Sequence, residues 1–161
     1  MNRELWMVTV GWTTMADDLE LVVFGAHLRD GPLSHQLTDL GARWAGEIFT
    51  APRYRMSVLA TEPPKPAITR VPVGAEGTSI LGHRWMLSPA ALGLFLDELP
   101  APMQLGKVEF DDGTWRTGFG CDGAATTGPD ISSFGSWPPR SRQARSRPAS
   151  ATPRRAGCSR G

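Results

Sequence analysis

The chain has 161 residues, a formal net charge of +1 and 40% hydrophobic residues, which suits one domain with its own core. All sixteen acidic residues precede Pro138 against ten basic ones there, so the body carries −6; this argues against a nucleic-acid surface, which needs clustered lysine and arginine. Two cysteines make neither a disulfide framework nor a zinc site, and no run approaches the roughly 20 apolar residues of a membrane span, so a cytoplasmic protein of a reducing compartment is expected, with no membrane partner and no cofactor.

Residues 1–18 read as an N-terminal extension without an obvious element, with Met15 an alternative start. Leu19 to Phe24 is a compact apolar run interrupted only by Glu20, which predicts a buried strand entering a turn at Gly25. Ser34 is placed to cap a short helix with Leu37 and Leu40 on one face and Gly41 at the C′ position. Arg43–Phe49 and Tyr54–Leu59 read as strands. In the second, Tyr54, Met56 and Val58 alternate with Arg55 and Ser57, which predicts a half-buried strand.

Pro63-Pro64-Lys65-Pro66 predicts an extended connection, because proline fixes φ and lacks a backbone donor. Ser79–Trp85 reads as a strand. Ser88-Pro89 then supplies an N-cap and a first helical residue, and Leu92, Phe95, Leu96 and Leu99 fall at i, i+3, i+4 and i+7, the spacing of an amphipathic helix that Pro100 stops. Lys107–Phe110 and Thr114–Phe119 flank Asp111-Asp112-Gly113, a hairpin turn sequence. Trp85 and Trp115 read as core or barrel-lining residues.

Strands outnumber helices without alternating with them, so the domain at 19–137 is expected to be α+β, a small mixed β-barrel with a few helices. Residues 138–161 lack every large apolar side chain and are expected to be disordered, since such a segment cannot bury enough area to offset its ordering entropy; an alternative reading makes them the product of a shifted reading frame.

The chemistry concentrates at Val23-Phe24-Gly25-Ala26-His27-Leu28. Backbone amides freed where a strand ends in glycine can hold an anion, and an imidazole can move a proton near neutral pH. His27 is the candidate general base. Gly25, Ala26 and Leu28 are candidate amide donors to a carboxylate, with Tyr54, Arg55 and Lys65 as side-chain candidates. His27, His35 and His83 match no zinc spacing, so no metal is expected.

Several motifs occur in one order: Gly25-Ala26-His27-Leu28, Gly31-Pro32-Leu33-Ser34-His35-Gln36-Leu37, Thr50-Ala51-Pro52-Arg53-Tyr54-Arg55, Pro63-Pro64-Lys65-Pro66 and Asp130-Ile131-Ser132-Ser133-Phe134-Gly135. Together they make the stretch from about Leu21 to Trp137 resemble the C-terminal domain of allophanate hydrolase and its free-standing relatives, whose fold is that of the γ-glutamylcyclotransferases. The resemblance implies breakdown of the N-carboxycarbamate left by an amidase to ammonia and carbon dioxide, in urea or amide nitrogen use, with His27 as base. This chain lacks the amidase signature itself, so the resemblance implies a separate amidase as partner.

Phe24-Gly25-Ala26-His27-Leu28 also looks like the carboxylate-binding loop Y-G-S-N-L of the cyclotransferases, with His27 in place of asparagine. Where those enzymes carry a catalytic glutamate, this chain reads Asp97-Glu98-Leu99-Pro100, which disfavours their reaction. Gly82-His83-Arg84-Trp85 departs from the family's G-E-x-W by exchanging an acid for an imidazole. A non-catalytic module that assists assembly of an amidase, a γ-glutamylcyclotransferase-type enzyme and self-association into a homo-oligomer stay open.

Overall fold

A computed structural model of the protein describes residues 17–137. The expectations for a start at Met15, for the rest of the N-terminal extension up to residue 16 and for the tail at 138–161 lie outside the described residues. Seven strands and two α-helices follow one another as β1 (Leu19–Val23), α1 (Ser34–Thr38), β2 (Arg43–Phe49), β3 (Tyr54–Leu59), β4 (Lys65–Arg70), β5 (Leu81–Leu87), α2 (Pro89–Asp97), β6 (Met103–Glu109) and β7 (Trp115–Cys121), with two short 3₁₀ turns after β7.

Five strands form one mixed sheet in the order β2-β5-β1-β7-β6, and β3-β4 form a separate antiparallel pair. Among the described residues only β1 and β7 run parallel. The α+β class holds. Among the described residues the strands share no closed ladder, because the β3-β4 hairpin packs near β7 without joining its hydrogen bonds.

The central strand explains the sequence pattern. Leu21, Val22 and Val23 are all buried in succession, which is what a strand covered on both faces requires. Around it gather Met56 and Ile68 from the hairpin, Trp85 and Leu87 from β5, and Phe95 from α2. Ser88 caps α2 by accepting the Ala91 amide at 3.2 Å, with Pro89 first in the helix. Gly113 takes φ +79° in the β6–β7 turn, where the Phe110 amide donates to Thr114 and the Gly113 amide to Phe110.

Several expectations need correction. Ser34 does not cap α1: it is the helix's first residue and donates its hydroxyl to the Gly31 carbonyl, while the N-cap is Leu33. Gly41, at φ +79°, lies two residues past the C-cap Asp39 and so one beyond C′. On α2 the buried stripe is Ala91 and Phe95, with Leu92 and Leu99 packed alongside, whereas Leu96 is 51% exposed. Ser57 is buried because Asp130 bridges to it from the chain's later turns. Trp115 is 51% exposed and takes Arg70 over its ring at 5.3 Å, so it is a surface stacking partner and not core.

The strand β4 was expected to be only an extended connection at its start. Proline hides a strand from propensity arguments, yet Pro66 pairs with Val58 in a two-stranded unit, where one strand edge is free of ladder partners and a missing donor is tolerated.

Charges cross the sheet in one line. Glu20 on β1 binds Arg84 on β5 through one oxygen and Arg116 on β7 through the other at 2.6 Å, and Arg116 continues to Asp112 at 2.6 Å. Thr114, through its hydroxyl and amide, and Arg116 hold the Asp112 carboxyl down to about 2. Glu20 is mostly sheltered, so its removal leaves the part-buried Arg84 without this carboxylate and Arg116 with Asp112 alone. Glu20→Ala is expected to destabilise the fold by about 2 kcal/mol, between the values for exposed and buried pairs; urea unfolding checks this, and an unchanged midpoint contradicts it.

Candidate active site

Where β1 ends, the chain turns sharply. Leu28 donates to the Gly25 carbonyl at 3.0 Å, Gly31 to Leu28 at 2.8 Å and Leu33 to Ala26 at 3.0 Å. Gly25 is required there by contact: a Cβ would stand 2.9 Å from Cγ of Pro66. The glycine thus lets the β4 hairpin close onto the turn and brings Lys65 to it.

A cavity of about 290 Å³ opens at this point, lined by Gly25, Ala26 and His27 from the turn, Gln36 from α1, Lys65 from β4 and Phe119 from β7. Phe95, Glu98 and Pro100 reach it from the α2 side. Among the described residues no backbone carbonyl accepts from the Gly25, Ala26 or His27 amides, so these amides are unpaired at residues that line the cavity. The Leu28 amide is not, since Gly25 holds it, and the Leu28 side chain is buried in the core.

His27 is held on three sides. Its ring stacks on Phe119 with centroids 5.4 Å apart and meets the edge of Phe95 at 5.3 Å. Nε2 lies 2.8 Å from Oε1 of Gln36; with that oxygen as acceptor, Nε2 carries the proton and Nδ1 keeps its lone pair. Burial lowers the imidazole pKa below its ordinary 6.5, the Gln36 bond opposes this, and nearby Lys65 and His35 add to the lowering. The neutral, proton-accepting form is therefore favoured at neutral pH.

Gln36 escapes sequence reasoning, because its partner is nine residues away across a turn whose geometry no periodicity encodes. The available signal is the Gly31-Pro32 punctuation, which folds α1 back over the strand end. Gln36→Leu removes the bond that raises the imidazole pKa, so His27 is expected to titrate lower still by NMR. An unchanged titration refutes the contact. If His27 is the base, any turnover at this site falls about 10- to 100-fold through lost orientation.

The other sequence candidates are dispersed. Tyr54 is buried, and its Oη accepts the Glu109 amide at 2.8 Å; it borders a second cavity of about 390 Å³ between β4 and the β6–β7 pair. Arg55 is exposed, donates to the Glu76 carbonyl at 3.2 Å and lies 3.9 Å from Asp130. Among the described residues no three His, Cys, Asp or Glu side chains gather to hold a metal.

His83 stands behind the turn and outside the cavity lining. Its Nδ1 accepts the Arg29 amide at 2.8 Å, its Nε2 is 3.6 Å from Glu47, and the Arg29 guanidinium lies 4.3 Å over Trp44. Burial lowers its pKa, against an opposing pull from Glu47, which keeps the lone pair the amide needs.

A family profile described as allophanate hydrolase C-terminal domain matches residues 19–141. The urea amidolyase of Lachancea kluyveri is 33% identical over 109 residues, 66% of this chain and 6% of that protein. The chain is similar in structure to Kluyveromyces lactis allophanate hydrolase, with TM-score 0.71 and 29% identity over 76% of this chain and 21% of that one. It is also similar to c4763, a uropathogenic E. coli-specific protein, with TM-score 0.67 and 26% identity over 74% of this chain and 92% of that one. The chain therefore spans only a small part of the urea amidolyase and of the allophanate hydrolase, and most of the length of c4763.

Proposed function

The chain belongs to the allophanate hydrolase C-terminal domain family, and from that premise we propose that it breaks down a small carbamate-type carboxylate, N-carboxycarbamate, to ammonia and carbon dioxide in urea or amide nitrogen catabolism. A separate amidase supplies the substrate. His27 moves the proton that must pass from a carboxyl oxygen to nitrogen as each C–N bond breaks. The Gly25 and Ala26 amides and Lys65 hold the carboxylate. Each cleavage releases one carbon dioxide, and two leave ammonia.

The observation that carries this reading is an imidazole with one nitrogen tied to Gln36 and the other free, set in a cavity that also offers unpaired amides and one lysine. A general base needs that combination of fixed tautomer and accessible lone pair. An open cavity at the strand end favours the enzyme over a module whose only task is assembly. No helix among the described residues is long and apolar enough to cross a membrane.

The test couples an allophanate-cleaving amidase to this chain and follows ammonia and carbon dioxide. Spontaneous breakdown sets the baseline, and a rate above it that rises in proportion to the added chain is expected. A folded protein that adds nothing to the baseline removes the enzymatic reading.

A further inference from the structure

We propose that His83, outside the cavity, is a positioning residue for His27: as a neutral imidazole it pins the turn that presents the base, so the site works only while both rings are unprotonated. The catalytic consequence rests on the function proposed above; the pin itself can be read without turnover.

The turn from Gly25 to Leu33 is bonded mostly to itself, Leu28 to Gly25, Gly31 to Leu28 and Leu33 to Ala26. Among the described residues the bond from the Arg29 amide to Nδ1 of His83, at 2.8 Å, is its one hydrogen bond to the five-stranded sheet. The register explains the meeting. Val23, the last residue of β1, pairs with His83 on β5. Gly82 faces Phe24, since a Cβ there would stand 2.6 Å from that ring, so alternation along β5 sends the His83 side chain to the other face. Arg29 follows His27 by two residues, and freeing its amide loosens the backbone on which the direction of the catalytic ring depends.

A lone pair at Nδ1 requires the proton of the neutral ring to sit on Nε2. That nitrogen faces Glu47 of β2 at 3.6 Å, and the carboxylate favours an N–H there over a bare lone pair. The other charged groups around the ring are Arg29 and Asp30 of the turn, with the Arg29 guanidinium drawn aside over Trp44. A second proton, on Nδ1, sets one N–H against another and turns the acceptor into a donor. Burial lowers the pKa of this ring, which keeps the pin closed at neutral pH and places its loss on the acid side.

Two variants of the whole chain test this, each first shown to fold by melting. His83→Asn sets a carbonyl oxygen near the place of Nδ1 and takes no proton; His83→Leu keeps bulk and removes the acceptor. By NMR, the Arg29 amide of the unaltered chain is expected to titrate with the His83 ring, and the His27 ring carbon to report the same step. Both responses vanish in His83→Asn, and the Arg29 amide exchanges with solvent roughly tenfold faster in His83→Leu. In the coupled amidase assay the acid limb is expected to fall with two protons in the unaltered chain and with one in His83→Asn, which keeps its rate at neutral pH. His83→Leu loses about tenfold in kcat with little change in KM. An Arg29 amide indifferent to His83 protonation, or an acid limb that His83→Asn leaves unchanged, overturns the inference. If His83→Leu does not fold, the unaltered chain and His83→Asn decide it. A chain that adds nothing to the amidase baseline removes the proposed reaction, and the NMR titrations then judge the pin by themselves.

Discussion

His27→Ala is expected to return the coupled reaction to its spontaneous baseline, a loss of roughly 10²–10⁴-fold, the range for one positioned proton-transfer group. The amides and Lys65 remain in that variant, so any residue of acceleration measures anion binding alone. Because the ring is packed between Phe95 and Phe119, alanine also leaves a hole. His27→Asn keeps most of the volume and a hydrogen-bonding edge without a basic nitrogen. Both variants should be inactive while only the alanine variant melts lower; activity retained in His27→Asn would remove the imidazole from the chemistry.

The same contacts fix the sign of the pH dependence. Burial lowers the folded-state pKa of His27 beneath the ordinary 6.5, so the base persists as the solution becomes mildly acidic. The acid limb of the rate should lie below pH 6.5. In stability, the unfolded chain binds the extra proton first: the His27 contribution is fully present above about 6.5 and is lost as pH falls from there through the folded value. A rate limb above 6.5 would contradict the burial argument.

How much of this was legible depends on whether a feature is local. The Ser88-Pro89 start of α2, the Asp111-Asp112-Gly113 turn and the unbroken apolar run of β1 each carry their signal within a few residues, and the structure shows all three. His27 was legible for the same reason, as the residue presented where a strand ends in glycine. Gln36 was not, because the bond that orients the imidazole spans a turn. The strand β4 was hidden by Pro66, and Leu96 looked buried because helical spacing cannot say how wide the covered stripe is. Trp115 reads as an inward residue, yet an arginine from the hairpin stacks on it at the surface.

The segment after β7 was the least legible, and it leads to the largest stability effect. It has no alternation, yet it runs alongside β3: the Val58 amide donates to Pro129 at 3.0 Å, the Ile131 amide to Met56 at 2.8 Å, and the Met56 amide to the Ser132 hydroxyl at 2.8 Å. Further on, the Leu81 amide donates to Gly135 at 2.8 Å and Trp137 packs on the core. The strap thus ties the β3-β4 hairpin, which carries Lys65, to β5 of the main sheet. Gly128 sits where it arrives, and a Cβ there would stand 1.8 Å from the Val58 carbonyl oxygen. Backbone cannot yield as a flexible side chain does, so Gly128→Ala must lift the strap and weaken several of these bonds, each contributing about 1 kcal/mol. A destabilisation of about 3 kcal/mol and a Tm lower by about 10 °C are expected. Gly123→Ala is the control in the same segment, since a Cβ there meets nothing within 4 Å, and it should melt like the unaltered chain. Equal melting of the two variants would show that the strap does not hold the hairpin. If Gly128→Ala alone melts lower, its carboxylate affinity should fall as well, because Lys65 loses the support that sets it at the turn.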